Sequence, residues 1–215
     1  SALWMIPLAV SAILYLPAPS MGALLALLLL AGLHEWTTLA NISGKTAKLM
    51  YLLFNAALIA AMAWFDGQNH SLLKSISIIG GVFWLLCLLW LWQFGFAKTD
   101  NLQNKLLKLL AGSLACLPAW AALVWVHGSE QGPAWTLFAI GLIAAADSGA
   151  YLFGVNFGKR KLAPNISPGK SWEGFWGGLA CAIALAMACS FYFSATSPHF
   201  LQFAFLGLVT GIFSV

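Results

Sequence analysis

Eight long apolar runs, separated by short connections, constrain this chain more than any motif does. They cover residues 2–16, 20–40, 47–65, 72–96, 106–127, 133–157, 174–195 and 199–215. A helix needs about 20 apolar residues to cross a bilayer, and most of these runs are about that long. Spanning β-strands would be about ten residues long with alternating polarity, which these uniformly apolar runs are not. The composition agrees, with 61% of 215 residues hydrophobic and 7% charged, against roughly 25% charged in soluble domains. No soluble fold hides that much apolar surface. The expectation is an all-α integral membrane protein, a polytopic bundle of about eight transmembrane helices forming one membrane domain over 1–215.

Positive charges collect in cytoplasmic connections, so the basic residues set the orientation. The second connection carries Lys45 and Lys48, the fourth Lys98, Lys105 and Lys108, and the sixth Lys159, Arg160, Lys161 and Lys170. Only Lys74, at the edge of the third, falls elsewhere, so nine of the ten positives lie in even-numbered connections. That alternation places the N-terminus and the 158–173 loop in the cytoplasm. Trp64, Trp90, Trp92, Trp125 and Trp135 lie near span ends, where indoles anchor helices to the interface. The net charge of +4 is too small and too dispersed to imply nucleic acid. Cys87, Cys116, Cys181 and Cys189 lie singly in apolar runs and read as packing residues. The chain starts at Ser1 and ends inside an apolar run at Val215, so it is expected to be trimmed at both ends.

The chemistry concentrates in residues 146–178. Asp147 lies inside the sixth run, where an ionised carboxylate costs about 2.5–3.5 kcal/mol on insertion scales and marks a functional site by default. On a straight helix it lies about 16 Å from Gly158 at 1.5 Å per residue. It reads as a metal ligand or catalytic carboxylate in a cavity open to the cytoplasm, or else as a carboxyl kept protonated or hydrogen-bonded to a neighbouring helix. Ser148 and Gly149 follow it, Tyr151 lies one turn on, and Gly154 and Gly158 offer a small-residue face for close helix contact.

The loop after it is basic and punctuated by Gly and Pro. Lys159, Arg160 and Lys161 fit either phosphate binding or attraction to anionic lipid. Ser167 would N-cap a helix that begins at Pro168, and free N–H groups at such a terminus bind phosphate, with Lys170 adding a point charge. Gly169-Lys170-Ser171 matches the end of a P-loop, but the pattern needs Gly where this chain has Pro164, and no strand precedes it. Glu173 reads as a second metal ligand or lysine partner, or as an acid serving the helix N-terminus. His34 and Glu35 lie near the cytoplasmic end of the second span, and Glu35 either faces the same cavity or reaches the interface. Asp66, Asp100 and Glu130 read as solvated loop acids, and His70, His127 and His199 form no readable metal constellation.

The run Asp147-Ser148-Gly149-Ala150-Tyr151, then Phe153-Gly154, Phe157-Gly158-Lys159, Lys161-Leu162-Ala163-Pro164, Ser167 to Gly174 and Gly177-Gly178, closely resembles the central segment of bacterial phosphatidate cytidylyltransferases, also called CDP-diacylglycerol synthases. The specific match covers about 33 residues. Glu35-Trp36 and the hydropathy extend it loosely over the chain; Ser171 stands where the family usually has Thr. The resemblance implies a multi-span enzyme of the bacterial inner membrane that joins phosphatidate to CTP, releasing pyrophosphate, with Mg²⁺ and a monovalent cation such as K⁺ as cofactors. Asp147 and Lys170 would be catalytic, Asp147 and Glu173 would hold metal, and Lys159, Lys161, Ser167, Gly169 and Ser171 would bind substrate phosphates. Expected partners are CTP, phosphatidate, membrane lipids and a second copy in a homodimer, with no nucleic acid. The family's acidic C-terminal signature would begin beyond Val215, so the 215-residue chain alone is expected to be inactive. Two other readings stay open: a CTP-dependent lipid-alcohol kinase, and a transporter with Asp147 as its ion site.

Overall fold

The computed structural model describes residues 2–66, 70–92, 101–164, 167–193 and 199–214, without the side chains of 2–3 and 88–92. Lys98, Asp100 and the indoles of Trp90 and Trp92 therefore lie outside the described residues. The described residues form α1 (Ala2–Tyr15), α2 (Ala18–Leu39), α3 (Lys45–Phe65), α4 (Ser71–Trp92), α5 (Leu102–His127), α6 (Gly132–Phe157), β1 (Lys161–Ala163), β2 (Ser167–Ser171), α7 (Trp172–Phe193) and α8 (Phe200–Ser214). Helices α2, α3, α5, α6 and α7 are long and apolar enough to cross a membrane, and α1, α4 and α8 add shorter apolar stretches over their described side chains. This is a multi-pass, helical membrane protein.

The elements follow from local chemistry. Pro19 sits in the first turn of α2, where its missing N–H would have no helical partner anyway. Helix α5 starts four residues before the apolar run because Asn101 caps it, its Oδ1 accepting the Asn104 N–H at 2.8 Å. Two compact units result, Ser1–Pro133 and Ala134–Val215.

In the first unit, ring N–H groups on α2 and α5 bond backbone carbonyls. Trp36 donates to the Lys108 carbonyl at 2.7 Å and Trp120 to that of Gly22 at 2.9 Å. Such bonds let indoles be buried in an apolar interior. Asp66 departs from the solvated reading. Its side chain is only 5% exposed and pairs with His70, and it also accepts the Leu73 N–H at 3.4 Å. A helix C-terminus and a helix start meet there, so the carboxylate serves backbone and imidazole rather than water. These two residues line a largely apolar cavity of about 390 Å³ with Gly22, Ala26 and Trp120.

The second unit is built on α7. Phe138, Leu142, Ala186 and Phe203 form its core. Trp135, expected as an interfacial anchor, stacks on Phe193 with ring centroids 4.0 Å apart. Nearer the loop, helices α6 and α7 meet through a seam of small residues. A Cβ built on Gly178 would lie 2.6 Å from the Ala146 carbonyl oxygen, and one on Gly149 would lie 2.7 Å from Cys181 Sγ. On the other side of α7, a Cβ on Gly207 of α8 would lie 2.8 Å from Ile183 Cα. Between helices in lipid, attraction comes from close packing rather than from expulsion of water, which favours small residues at contacts.

Candidate active site

Within the 158–173 segment the described residues form two paired strands before α7, rather than a helix begun at Pro168. Strands β1 and β2 are antiparallel, with Lys161 opposite Ser171 and Ala163 opposite Ser167. Ser167 is therefore a strand residue, and its expected role as N-cap of a phosphate-binding helix is corrected. A helix begun at Pro168 would carry Gly169 in its first turn, about 1 kcal/mol worse than Ala in a helix interior. The ladder instead occupies this backbone, and the helix starts at the next hydroxyl. Ser171 caps α7, its Oγ accepting the Gly174 N–H at 3.2 Å.

This arrangement sets the hairpin against α6. Ser171 is buried, and a Cβ on Gly154 would lie 3.4 Å from its Oγ. The small-residue face foreseen at Gly154 thus accommodates the cap of α7. The strand end beside it reaches a cavity of about 410 Å³, lined among others by Asp147, Tyr151, Gly169, Lys170, Ser171 and Ser214. Asp147 shares this cavity with Gly169, Lys170 and Ser171 at the end of β2, although they lie more than 20 residues apart in sequence. Its Oδ1 accepts a hydrogen bond from Ser214 Oγ at 2.9 Å. Ser214 has no signal in the sequence, because only the packing of α8 on α7 brings it there.

Four expected site residues therefore share the cavity: Asp147, Gly169, Lys170 and Ser171. Lys159, Lys161 and Ser167 are not among its lining residues, and neither is Glu173. Lys159 and Lys161 are exposed at the root of the hairpin. Glu173 turns toward that root, where its Oε2 accepts the N–H groups of Lys159 and Arg160. Glu35 is exposed on α2 in the first unit. Among the described residues no three His, Cys, Asp or Glu side chains converge.

The site thus offers one carboxylate with a hydroxyl beside it, one lysine and a glycine whose added Cβ would meet nothing within 4 Å. A cation held by the carboxylate and an anion held by the lysine would be neighbours there. That pairing suits a phosphate ester with its metal.

A model of the Cytidylyltransferase family matches residues 1–215. The chain is 33% identical over 194 residues to the phosphatidate cytidylyltransferase of Haemophilus influenzae, covering 83% of this chain and 67% of that protein. It is 30% identical over 180 residues to the protein of the same name from Pseudomonas aeruginosa, covering 84% and 65%. Against the phosphatidate cytidylyltransferase of Bacillus subtilis it is 42% identical over 86 residues, covering 40% and 30%. The chain spans about two thirds of the length of the first two relatives.

Proposed function

The chain belongs to the cytidylyltransferase family, and on that premise we propose that the protein carrying it joins phosphatidate to CTP. A phosphate oxygen of phosphatidate attacks the α-phosphorus of CTP, forming one P–O bond. The bond to the bridging oxygen breaks, and pyrophosphate leaves with that electron pair. The products are CDP-diacylglycerol and pyrophosphate. The observation that carries this reading is the meeting of Asp147 with Gly169, Lys170 and Ser171 on one cavity wall.

Both reactants are anions, so positioning and charge neutralisation dominate the barrier. Lys170 supplies a point charge for triphosphate oxygens, and Gly169 lies beside it in the cavity lining. Mg²⁺ is commonly held by one or two carboxylates together with substrate phosphates and water. The donor set fits that pattern, with Asp147 as the carboxylate and the Ser214 hydroxyl beside it. When bound there, the cation would neutralise triphosphate charge. The tilt of positive charge supports an inner-membrane enzyme with Lys45, Lys48 and the 158–173 hairpin on the cytoplasmic side, where CTP is found.

Two measurements test this. Incubation of the full-length protein with CTP, phosphatidate and Mg²⁺ yields CDP-diacylglycerol and pyrophosphate by mass spectrometry. A phosphorylated lipid with CDP would instead identify a CTP-dependent kinase, and no nucleotide chemistry would favour a transporter. Lys170→Met raises the KM for CTP by about tenfold or more, since a charged hydrogen bond to phosphate is worth roughly 1.5–3 kcal/mol.

Orientation has its own test. Gly44→Cys and Gly169→Cys, in a background without the four native cysteines, resist an impermeant thiol reagent in intact cells and react after permeabilisation. Labelling from outside would reverse the orientation and remove access to CTP.

A further inference from the structure

We propose that Glu173 is a positioning residue, a latch across the root of the hairpin that holds Gly169 and Lys170 in the lining of the cavity they share with Asp147. This rests on the reading of the cavity as the CTP site. Glu173 is the second residue of α7 and reaches back over the loop. Its Oε2 accepts the Lys159 N–H at 3.1 Å and the Arg160 N–H at 3.2 Å. Its Oε1 lies 3.7 Å from Arg160 Nε.

Two further ties join the same strands of chain. The Trp172 N–H donates to the Arg160 carbonyl at 3.0 Å, and Lys161 pairs with Ser171. Residues 159–161, leaving α6, are thereby fastened to residues 171–173, entering α7. Gly169 and Lys170 precede that fastening by two residues and one, so its geometry dictates where they emerge. The Arg160 pair adds little, because the Arg160 side chain is 80% exposed and exposed ion pairs are screened. The two backbone N–H groups are the functional part of the contact. They engage one of the two carboxylate oxygens, and Glu173 is not among the residues lining the cavity of Asp147.

The latch and a metal-ligand role make opposite predictions for one substitution. Glutamine keeps a carbonyl oxygen with two lone pairs for the N–H groups but loses the charge. Glu173→Gln therefore keeps kcat/KM for CTP within about threefold of wild type, whereas Glu173→Ala loses about ten- to hundredfold, the range typical when a supporting group is removed. The Mg²⁺ concentration for half-maximal activity is unchanged in Glu173→Gln. Backbone amide exchange over Lys159 and Arg160 is slow in wild type and Glu173→Gln and fast in Glu173→Ala. If Glu173→Gln is as impaired as Glu173→Ala, or needs about tenfold more Mg²⁺, the carboxylate is a metal ligand and the latch is wrong. Full activity in Glu173→Ala would also overturn it. If wild type makes no CDP-diacylglycerol, the proposed reaction falls. The exchange rates then decide the latch alone, and equal rates in all three proteins would refute it.

Discussion

Asp147→Asn in the full-length protein lowers turnover of CTP and phosphatidate by at least a hundredfold, about 2.7 kcal/mol of transition-state stabilisation. Asparagine keeps the shape of the side chain and an oxygen to accept the 2.9 Å hydrogen bond from Ser214, so the helix contacts survive. What it removes is the charge that, on the proposed reading, would hold the cation beside the triphosphate. The thermal midpoint of the detergent-solubilised variant should therefore stay close to that of wild type while the rate collapses. Glu130→Gln, an exposed loop change, leaves the rate unaltered. Wild-type turnover in Asp147→Asn would remove that carboxylate from the reaction.

Gly178→Val acts on stability first and on activity as a consequence. The added Cβ would lie 2.6 Å from the Ala146 carbonyl oxygen and 3.0 Å from Ala150 Cβ, both on α6. Backbone cannot yield as a flexible side-chain tip does, so α6 and α7 must part. Overpacking of this kind costs about 1–3 kcal/mol, occasionally more, and parting the helices also moves Asp147 away from Lys170 at the end of β2. A lower midpoint of thermal unfolding, with activity lost well below that temperature, is the expected result. Gly32→Ala is the matched control, because a Cβ there meets nothing within 4 Å and alanine is the better helix former. An unchanged midpoint in Gly178→Val would mean that the seam does not hold the second unit together.

Helix positions were legible because the apolar runs are long and the breaks between them carry Pro, Gly or charge. Span edges shifted where a cap could act, as at Asn101, which begins α5 before the apolar run does. The hairpin at 161–171 was hidden for a related reason. Strand β1 has only three residues, too few for an alternating pattern, and Ser167-Pro168 imitates a helix start. Pairing between Lys161 and Ser171 overrode that local preference. Asp147 stood out because a carboxylate within an apolar run is expensive, and Lys170 because of its Gly-Lys-Ser context. Ser214 and the turn of Glu173 toward the hairpin root depend on tertiary contacts across 67 and 14 residues of chain. No spacing rule carries such information.

The central claim is that CTP sits against Gly169 and Lys170 of β2, and protection of a cysteine there tests it most directly. A Cβ on Gly169 meets nothing within 4 Å, so Gly169→Cys fits without strain and places a thiol on the cavity wall. In inside-out vesicles of the otherwise cysteine-free protein, CTP with Mg²⁺ at ten times its Kd slows labelling of this thiol about tenfold, as occupancy requires. Labelling of Gly44→Cys, in the loop before α3, is unaffected. Equal labelling of Gly169→Cys with and without CTP, in a protein that still turns CTP over, would place the nucleotide elsewhere and contradict the account.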